Sequence, residues 1–203
     1  MVLVFMAAAL ALNLTPGPDM LYVAARSVSD GRAAGVVSAF GIATGTLVHI
    51  AALALGLAAL LNAVPLAYDA VRIAGAIYLV VIGIQLIARP RTSAAVANLP
   101  RSSLRIIFMQ AVITNVLNPK VALFFLAFLP QFVDRAAGAP VPQIIVLGLL
   151  FNIQGTLMNV GVALLASRGS NWLRASERRV ALLQRMTGAL FVALGARLAV
   201  STR

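Results

Sequence analysis

The 203-residue sequence has no cysteine, a single histidine (His49) and only five acidic residues against sixteen basic ones. Without cysteine there are no disulfides, iron–sulfur clusters or thiolate metal sites. With one histidine, a histidine-cluster metal site is excluded too. No phosphate-binding loop, Walker lysine motif or nucleophile elbow is present, so no cofactor or internal ATPase is expected. Charge is also scarce: 10% of residues are charged and 62% are hydrophobic, where a soluble domain has roughly 25% and 45–50%. Such a chain has too little polar surface to face water on all sides. That excludes an ordinary soluble enzyme, a disordered segment and a nucleic-acid-binding domain.

What remains is long and apolar. No Asp, Glu, Lys or Arg occurs between Ala33 and Tyr68, or between Ala136 and Ser167. A membrane-spanning helix needs about 20 such residues. The runs lack the alternation of barrel strands, and a lone strand leaves its backbone groups unsatisfied in lipid. The fold class is therefore all-α integral membrane. The first basic residue is Arg26, behind the first apolar run rather than ahead of it, so that run reads as a membrane helix and not a signal peptide. The run begins at Met1, and the expectation is a first helix cut slightly short.

Six transmembrane helices are predicted, at about 1–28, 34–61, 68–88, 105–133, 142–167 and 180–200. Turn-forming residues such as Ser29-Asp30-Gly31 and Arg89-Pro90-Arg91 separate them. The loops after helices one, three and five hold eleven arginines against Asp30 and Glu177, while the other side holds four against Asp69 and Asp134. By the positive-inside rule both termini lie outside. The net charge of +11 is thus chiefly topology, and nucleic acid is not an expected partner; membrane lipid is.

The two halves resemble each other. Gly45-Thr46-Leu47-Val48-His49 in helix two matches Gly155-Thr156-Leu157-Met158-Asn159 in helix five. Gly75-Ala76-Ile77-Tyr78-Leu79 matches Gly188-Ala189-Leu190-Phe191-Val192, and Pro18-Asp19 matches Pro119-Lys120. Three helices per half make the second half cross in the opposite sense. The expectation is a single domain, 1–203, of two inverted three-helix repeats: about 1–88, a cytoplasmic loop at 89–104, and 105–203. This is a frequent secondary-transporter architecture.

Helices one and four should be broken. Helix one contains Asn13-Leu14-Thr15-Pro16-Gly17-Pro18-Asp19, and helix four contains Asn115-Val116-Leu117-Asn118-Pro119-Lys120. Proline removes a backbone donor and clashes with the preceding turn, so two prolines around a glycine should unwind the helix. Paired interruptions in matching positions point to a transporter site. Asp19 and Lys120 would each lie about 15 Å inside the membrane. A charge there costs at least about 2.5–3.5 kcal/mol on insertion scales. The substrate-site candidates are accordingly Asn13, Pro16, Gly17, Pro18, Asp19, Asn115, Asn118, Pro119 and Lys120. Asp19 and Lys120 are expected to face one cavity and to bind the amino and carboxylate groups of a zwitterion; a structural Asp–Lys pair is the rival reading.

Asp19 and His49 are the candidates for proton coupling. Thr46, Asn152, Gln154 and Asn159 are further polar candidates. Asn152 and Asn159 share a helix face, and helix–helix hydrogen bonding explains them as readily as substrate contact. Gly41 and Gly45 form a G-x-x-x-G that favours close packing. Small-residue faces of this kind serve packing within one chain or a homo-oligomer. An intramembrane enzyme would want a nucleophile–base set, and only Ser38, Thr44, Thr46 and His49 cluster, with Ser38 too far along the helix from His49. The chain is not expected to be an enzyme.

Pro16-Gly17-Pro18-Asp19 resembles the P-G-P signature of the lysine exporter / homoserine–threonine efflux (LysE/RhtB) family. Gly31 to Gly45, and Gly75-Ala76-Ile77-Tyr78-Leu79 followed by Gly83, are similar to its next blocks. Asn118-Pro119-Lys120, Phe124-Phe125 and Phe128-Leu129-Pro130-Gln131-Phe132 resemble its N-P-K…F-L-P-Q-F block. The resemblance covers essentially the whole chain. It implies a bacterial inner-membrane exporter of amino acids or close derivatives, of threonine, homoserine, lysine or leucine type, driven by the proton-motive force as an antiporter. The shared motifs do not choose among substrates. The alternatives are efflux of another small solute, and a non-transporting membrane scaffold, which has no need of midplane charges.

Overall fold

In the computed structural model the described residues are 2–63, 101–134 and 136–167, with single positions between 73 and 88 and between 182 and 196. Helix α1 is Val2–Leu14, α2 is Pro18–Ser29 and α3 is Arg32–Ala63. After 101 come α4 (Leu104–Val116), α5 (Pro119–Leu123), a π-helical turn at Phe124–Phe128, a 3-10 turn at Leu129–Phe132, and α6 (Pro140–Ala166). No strand occurs among the described residues.

Each boundary has a local cause. Pro18 opens α2, where its missing N–H costs nothing. Gly31, at φ 89°, turns the chain from α2 into α3 in a conformation that disfavours side chains. The Ser103 hydroxyl accepts the Ile106 N–H and caps α4. Asn118 caps α5 by accepting the Lys120 N–H at 3.0 Å, with Pro119 in the first turn.

Among the described residues two helices are long and apolar enough to cross a membrane, within Arg32–Gly56 and Pro140–Ala166. Two bent pairs would each make one more span: α1 with α2, bent by 49°, and α4 with the segment Pro119–Phe132, bent by 44°. These four coincide with the predicted segments one, two, four and five. The predicted segments 68–88 and 180–200 lie largely outside the described residues, as do the loops at 89–100 and 168–181 that carry much of the charge asymmetry. Those two segments meet at Gly83, where a Cβ would stand 2.6 Å from the Gly188 carbonyl oxygen and 2.7 Å from Val192 Cγ2.

Helix α3 packs most extensively on α4 and α6. Lipid is as apolar as leucine, so close backbone approach holds such helices together more than apolar burial does. Gly41 and Gly45 supply that approach. A Cβ on Gly41 would lie 2.6 Å from the Ala111 Cβ, and one on Gly45 would lie 2.7 Å from the Asn115 Cβ. Two buried apolar clusters result. One joins Phe5, Ala8 and Leu12 of α1 to Phe124, Phe125, Phe128 and Phe151. The other joins Val23 and Ala24 of α2 to Ala39, Ile42, Ala111 and Val162. A polar layer separates them, at the level of the two breaks.

Candidate functional site

Leu14 is the last residue of α1, and the chain leaves the helix at Thr15–Gly17. Carbonyls at the end of α1 have no N–H four residues on. The Lys120 ammonium takes one of them, Leu12 O at 2.6 Å, together with the carbonyl of Thr15 in the break itself at 2.7 Å. A cation at a helix C-terminus also meets the negative pole of the helix dipole. The break in one half is thus capped by the charge that follows the break in the other. Gly17 faces this side chain: a Cβ there would stand in van der Waals contact, 3.4 Å from Lys120 Cδ and Nζ.

Asp19 sits in the first turn of α2, where the positive pole favours a carboxylate. Its Oδ2 accepts the Asn115 Nδ2–H at 2.8 Å. Asn115 is fully buried at the end of α4. The Thr46 hydroxyl lies 3.1 Å from the Ile42 carbonyl oxygen and 3.3 Å from Asn115 Oδ1, both acceptors for its one hydrogen. His49 Nε2 lies 3.0 Å from the Asn115 carbonyl oxygen. The second carboxylate oxygen, Asp19 Oδ1, and the Asn13 amide nitrogen are buried with no hydrogen-bond partner. Buried polar atoms left this way are costly, and they mark where a ligand or water would bind.

Two small cavities lie among these residues. The first, ≈ 20 Å³, is lined by Asn13, Asp19, Thr46, Asn115, Asn152, Thr156 and Asn159 together with apolar groups. The second, ≈ 30 Å³, is lined by Asn13, Thr15, Gly17, Asp19, Asn118, Lys120 and Asn159 among others. Each has room for one water or two, and neither would hold an amino acid without the helices moving apart. Asp19 and Lys120 share the second cavity, and Asn13, Asp19 and Asn159 line both.

Some candidates fall elsewhere. Pro16 and Pro18 shape the first break and Pro119 starts α5, and none of the three lines either cavity. His49 stays behind Asn115, its ring 5.9 Å from that of Phe125. Gln154 faces α1, donating to Met6 O at 3.4 Å. Among the described residues no three His, Asp or Glu side chains gather as a metal site.

Sequence reasoning missed Thr15, whose carbonyl helps hold Lys120, and Thr156, on the cavity wall. It also counted Arg26 as a loop charge. Arg26 is 3% exposed, donating to Asp30 Oδ2 at 3.0 Å, Gln110 Oε1 at 2.8 Å and the Tyr22 hydroxyl at 3.3 Å. The hydroxyl lies 3.0 Å from the Ile107 carbonyl oxygen, so this cluster ties α2 to α4. The Ser29 hydroxyl, the Arg26 guanidinium and the Ser102 N–H hold the Asp30 carboxyl below the usual carboxylate range. The spacing of Tyr22, Arg26 and Asp30, four residues apart, was the available signal.

Known proteins carry related sequences. An uncharacterized membrane protein of Pseudomonas aeruginosa is 32% identical over 196 residues, covering 93% of this chain and 90% of that protein. Homoserine/homoserine lactone efflux proteins of Salmonella typhimurium and Salmonella typhi are 31% and 30% identical over 191 residues, with the same coverage. No solved structure matches the chain. A family model, LysE type translocator, matches residues 10–202. Both breaks, α2 to α6 and the last turn of α1 lie within that match, and the chain belongs to the LysE type translocator family.

Proposed function

We propose that the protein exports amino acids or close derivatives across the bacterial inner membrane, in exchange for protons, from a site between the two broken helices. The observation that carries this reading is the pair of breaks meeting at one cavity. There Lys120 caps the carbonyls of the first break, and Asp19 presents one unpartnered carboxylate oxygen beside an unpartnered Asn13 amide. An ammonium group is the natural partner of that oxygen. Lys120 has three donors and gives two to carbonyls, leaving one for a substrate carboxylate or a lactone or amide oxygen. Asn13, Asn118, Asn152 and Asn159 supply neutral contacts around them. Asp19 carries the proton when substrate is absent, since substrate ammonium and proton compete for the same carboxylate. Six crossings in two inverted repeats, with both termini outside, would let the halves rock about this layer. Homoserine and its lactone are the first substrates to try, a choice supported by the names of the efflux relatives.

The test is uptake into inverted membrane vesicles with a labelled panel containing homoserine, its lactone, threonine, lysine and leucine. Vesicles with and without an inward-acid pH gradient are compared for wild type and Asp19→Asn. Gradient-dependent accumulation that Asp19→Asn abolishes is expected. Equal signals from vesicles with and without the protein would remove amino acids as substrates and leave another small solute or a scaffold role.

A further inference from the structure

Asn115 is gripped from three positions on one stretch of α3. Gly45 leaves the space its side chain occupies, for a Cβ there would stand 2.7 Å from Asn115 Cβ and 2.8 Å from Oδ1. The one hydrogen of the Thr46 hydroxyl is shared between the Ile42 carbonyl oxygen at 3.1 Å and the Asn115 amide oxygen at 3.3 Å. His49 meets the backbone carbonyl, which also accepts the Asn118 N–H at 2.9 Å across the second break. A carbonyl only accepts, so His49 Nε2 carries the hydrogen in this bond. An ionised carboxylate only accepts as well, so with Asp19 charged the Asn115 amide must turn its nitrogen to Asp19 and its oxygen to Thr46. The chain of bonds has one direction: from α3 through Asn115 to Asp19 Oδ2.

We infer that Thr46 and His49 are positioning residues for transport, which fix Asn115 and through it aim the free oxygen of Asp19 into the cavity. This rests on Asp19 being the substrate and proton group. It changes the part given to His49, which donates a structural hydrogen bond at the break and carries no transported proton. The surroundings agree. His49 lines neither cavity and has the Phe125 ring beside it. The charged groups at the cavity are Asp19 from α2 and Lys120 from α5, while α6 faces it with the neutral Asn152, Thr156 and Asn159.

The experiment pairs disruptive with conservative variants. Thr46→Val and His49→Leu each remove a donor; Thr46→Ser and His49→Gln keep one. Loss of one positioning hydrogen bond is expected to raise the apparent KM for the transported amino acid about tenfold, with Vmax little changed. The conservative variants should return to near the wild-type KM, and His49→Gln should keep the pH profile of transport. A His49→Gln protein that loses the pH dependence would overturn the assignment and make His49 the proton carrier. Failure of Thr46→Ser to restore KM would overturn it as well.

Infrared difference spectra of wild type against Asp19→Asn isolate the Asp19 carboxyl bands and need no substrate. Those bands should shift in Thr46→Val and recover in Thr46→Ser; bands unmoved by Thr46→Val would sink the relay. Absence of amino-acid transport by wild type would break the functional reading, while the spectra still judge the relay.

Discussion

On one side of the two breaks, Arg26 of α2 is held by Tyr22, Asp30 and Gln110, each at hydrogen-bond distance. On the other, Phe5 of α1 packs on Phe124 and Phe132 with ring centroids 5.9 and 5.3 Å apart, and Phe124 packs on Phe128 and Phe151 at 4.9 and 5.0 Å. Both regions join a half-helix of the first break to a half-helix of the second, with the cavities between them. Their chemistry is opposite. The Arg26 cluster is directional, and every donor in it has a partner that water could replace when the helices part. The aromatic cluster is held by shape, and water can replace none of its contacts. The first should therefore be sensitive to the identity of each group and the second to volume alone.

The largest expected effect breaks the aromatic side. Phe→Ala in a protein core costs about 3–5 kcal/mol. Within lipid the transfer part is smaller and the lost packing remains, so Phe124→Ala should fall near the lower end of that range. Phe124→Leu, which keeps most of the volume, should cost under about 1.5 kcal/mol. Thermal melting in detergent measures both. Equal losses for the two variants would mean that this side is not governed by volume.

The polar side should rank next and show the reverse pattern. Removing one partner of a buried pair costs about 3–5 kcal/mol, against about 1 kcal/mol or less for an exposed pair. Asp30 keeps the Ser29 hydroxyl and the Ser102 N–H when Arg26 is removed, so Arg26→Met should cost an intermediate amount. Arg26→Lys keeps the charge but not the three-way fork that reaches Tyr22, Asp30 and Gln110. It should restore less than half of the lost melting temperature. Full restoration by lysine would make charge alone sufficient and erase the contrast with the aromatic side.

What could be read beforehand follows the same divide between local and distant causes. Pro16-Gly17-Pro18 breaks a helix wherever it stands, because a missing donor and a ring clash are properties of the segment itself. The apolar runs that became α3 and α6 were equally legible. Lys120 was legible as a charge in a helix, but its partners are carbonyls 105 and 108 residues away. No spacing rule points to a backbone acceptor in the other half. Asn115 and His49 were each visible as polar residues in apolar helices; the bond between them depends on the register of α3 against α4, set by the Gly41 and Gly45 contacts. Arg26 was misplaced because a count of charges by side treats an arginine at a helix end the same whether it reaches headgroups or turns inward.

The smallest effect separates the two regions by pH. Asp30 is held below the usual carboxylate range, first by the Ser29 hydroxyl and then by Arg26 and the Ser102 N–H, from an ordinary value of 3.8. A depressed folded-state value means that the unfolded chain binds the proton more readily. The stabilisation from these bonds is therefore complete above the ordinary value and is lost as pH falls through the folded one. Among the described residues the rings of the aromatic side do not titrate, and His49 meets them only at Phe125, 5.9 Å away. The Tm difference between wild type and Asp30→Asn should be the same at pH 7 and at pH 5, and should close only below 3.8. The difference between wild type and Phe124→Leu should stay constant throughout. A gap for Asp30→Asn that already narrows between pH 7 and pH 5 would show the carboxyl titrating where a well-bonded one does not. The polar cluster would then be a loose surface arrangement rather than a fixed joint between α2 and α4.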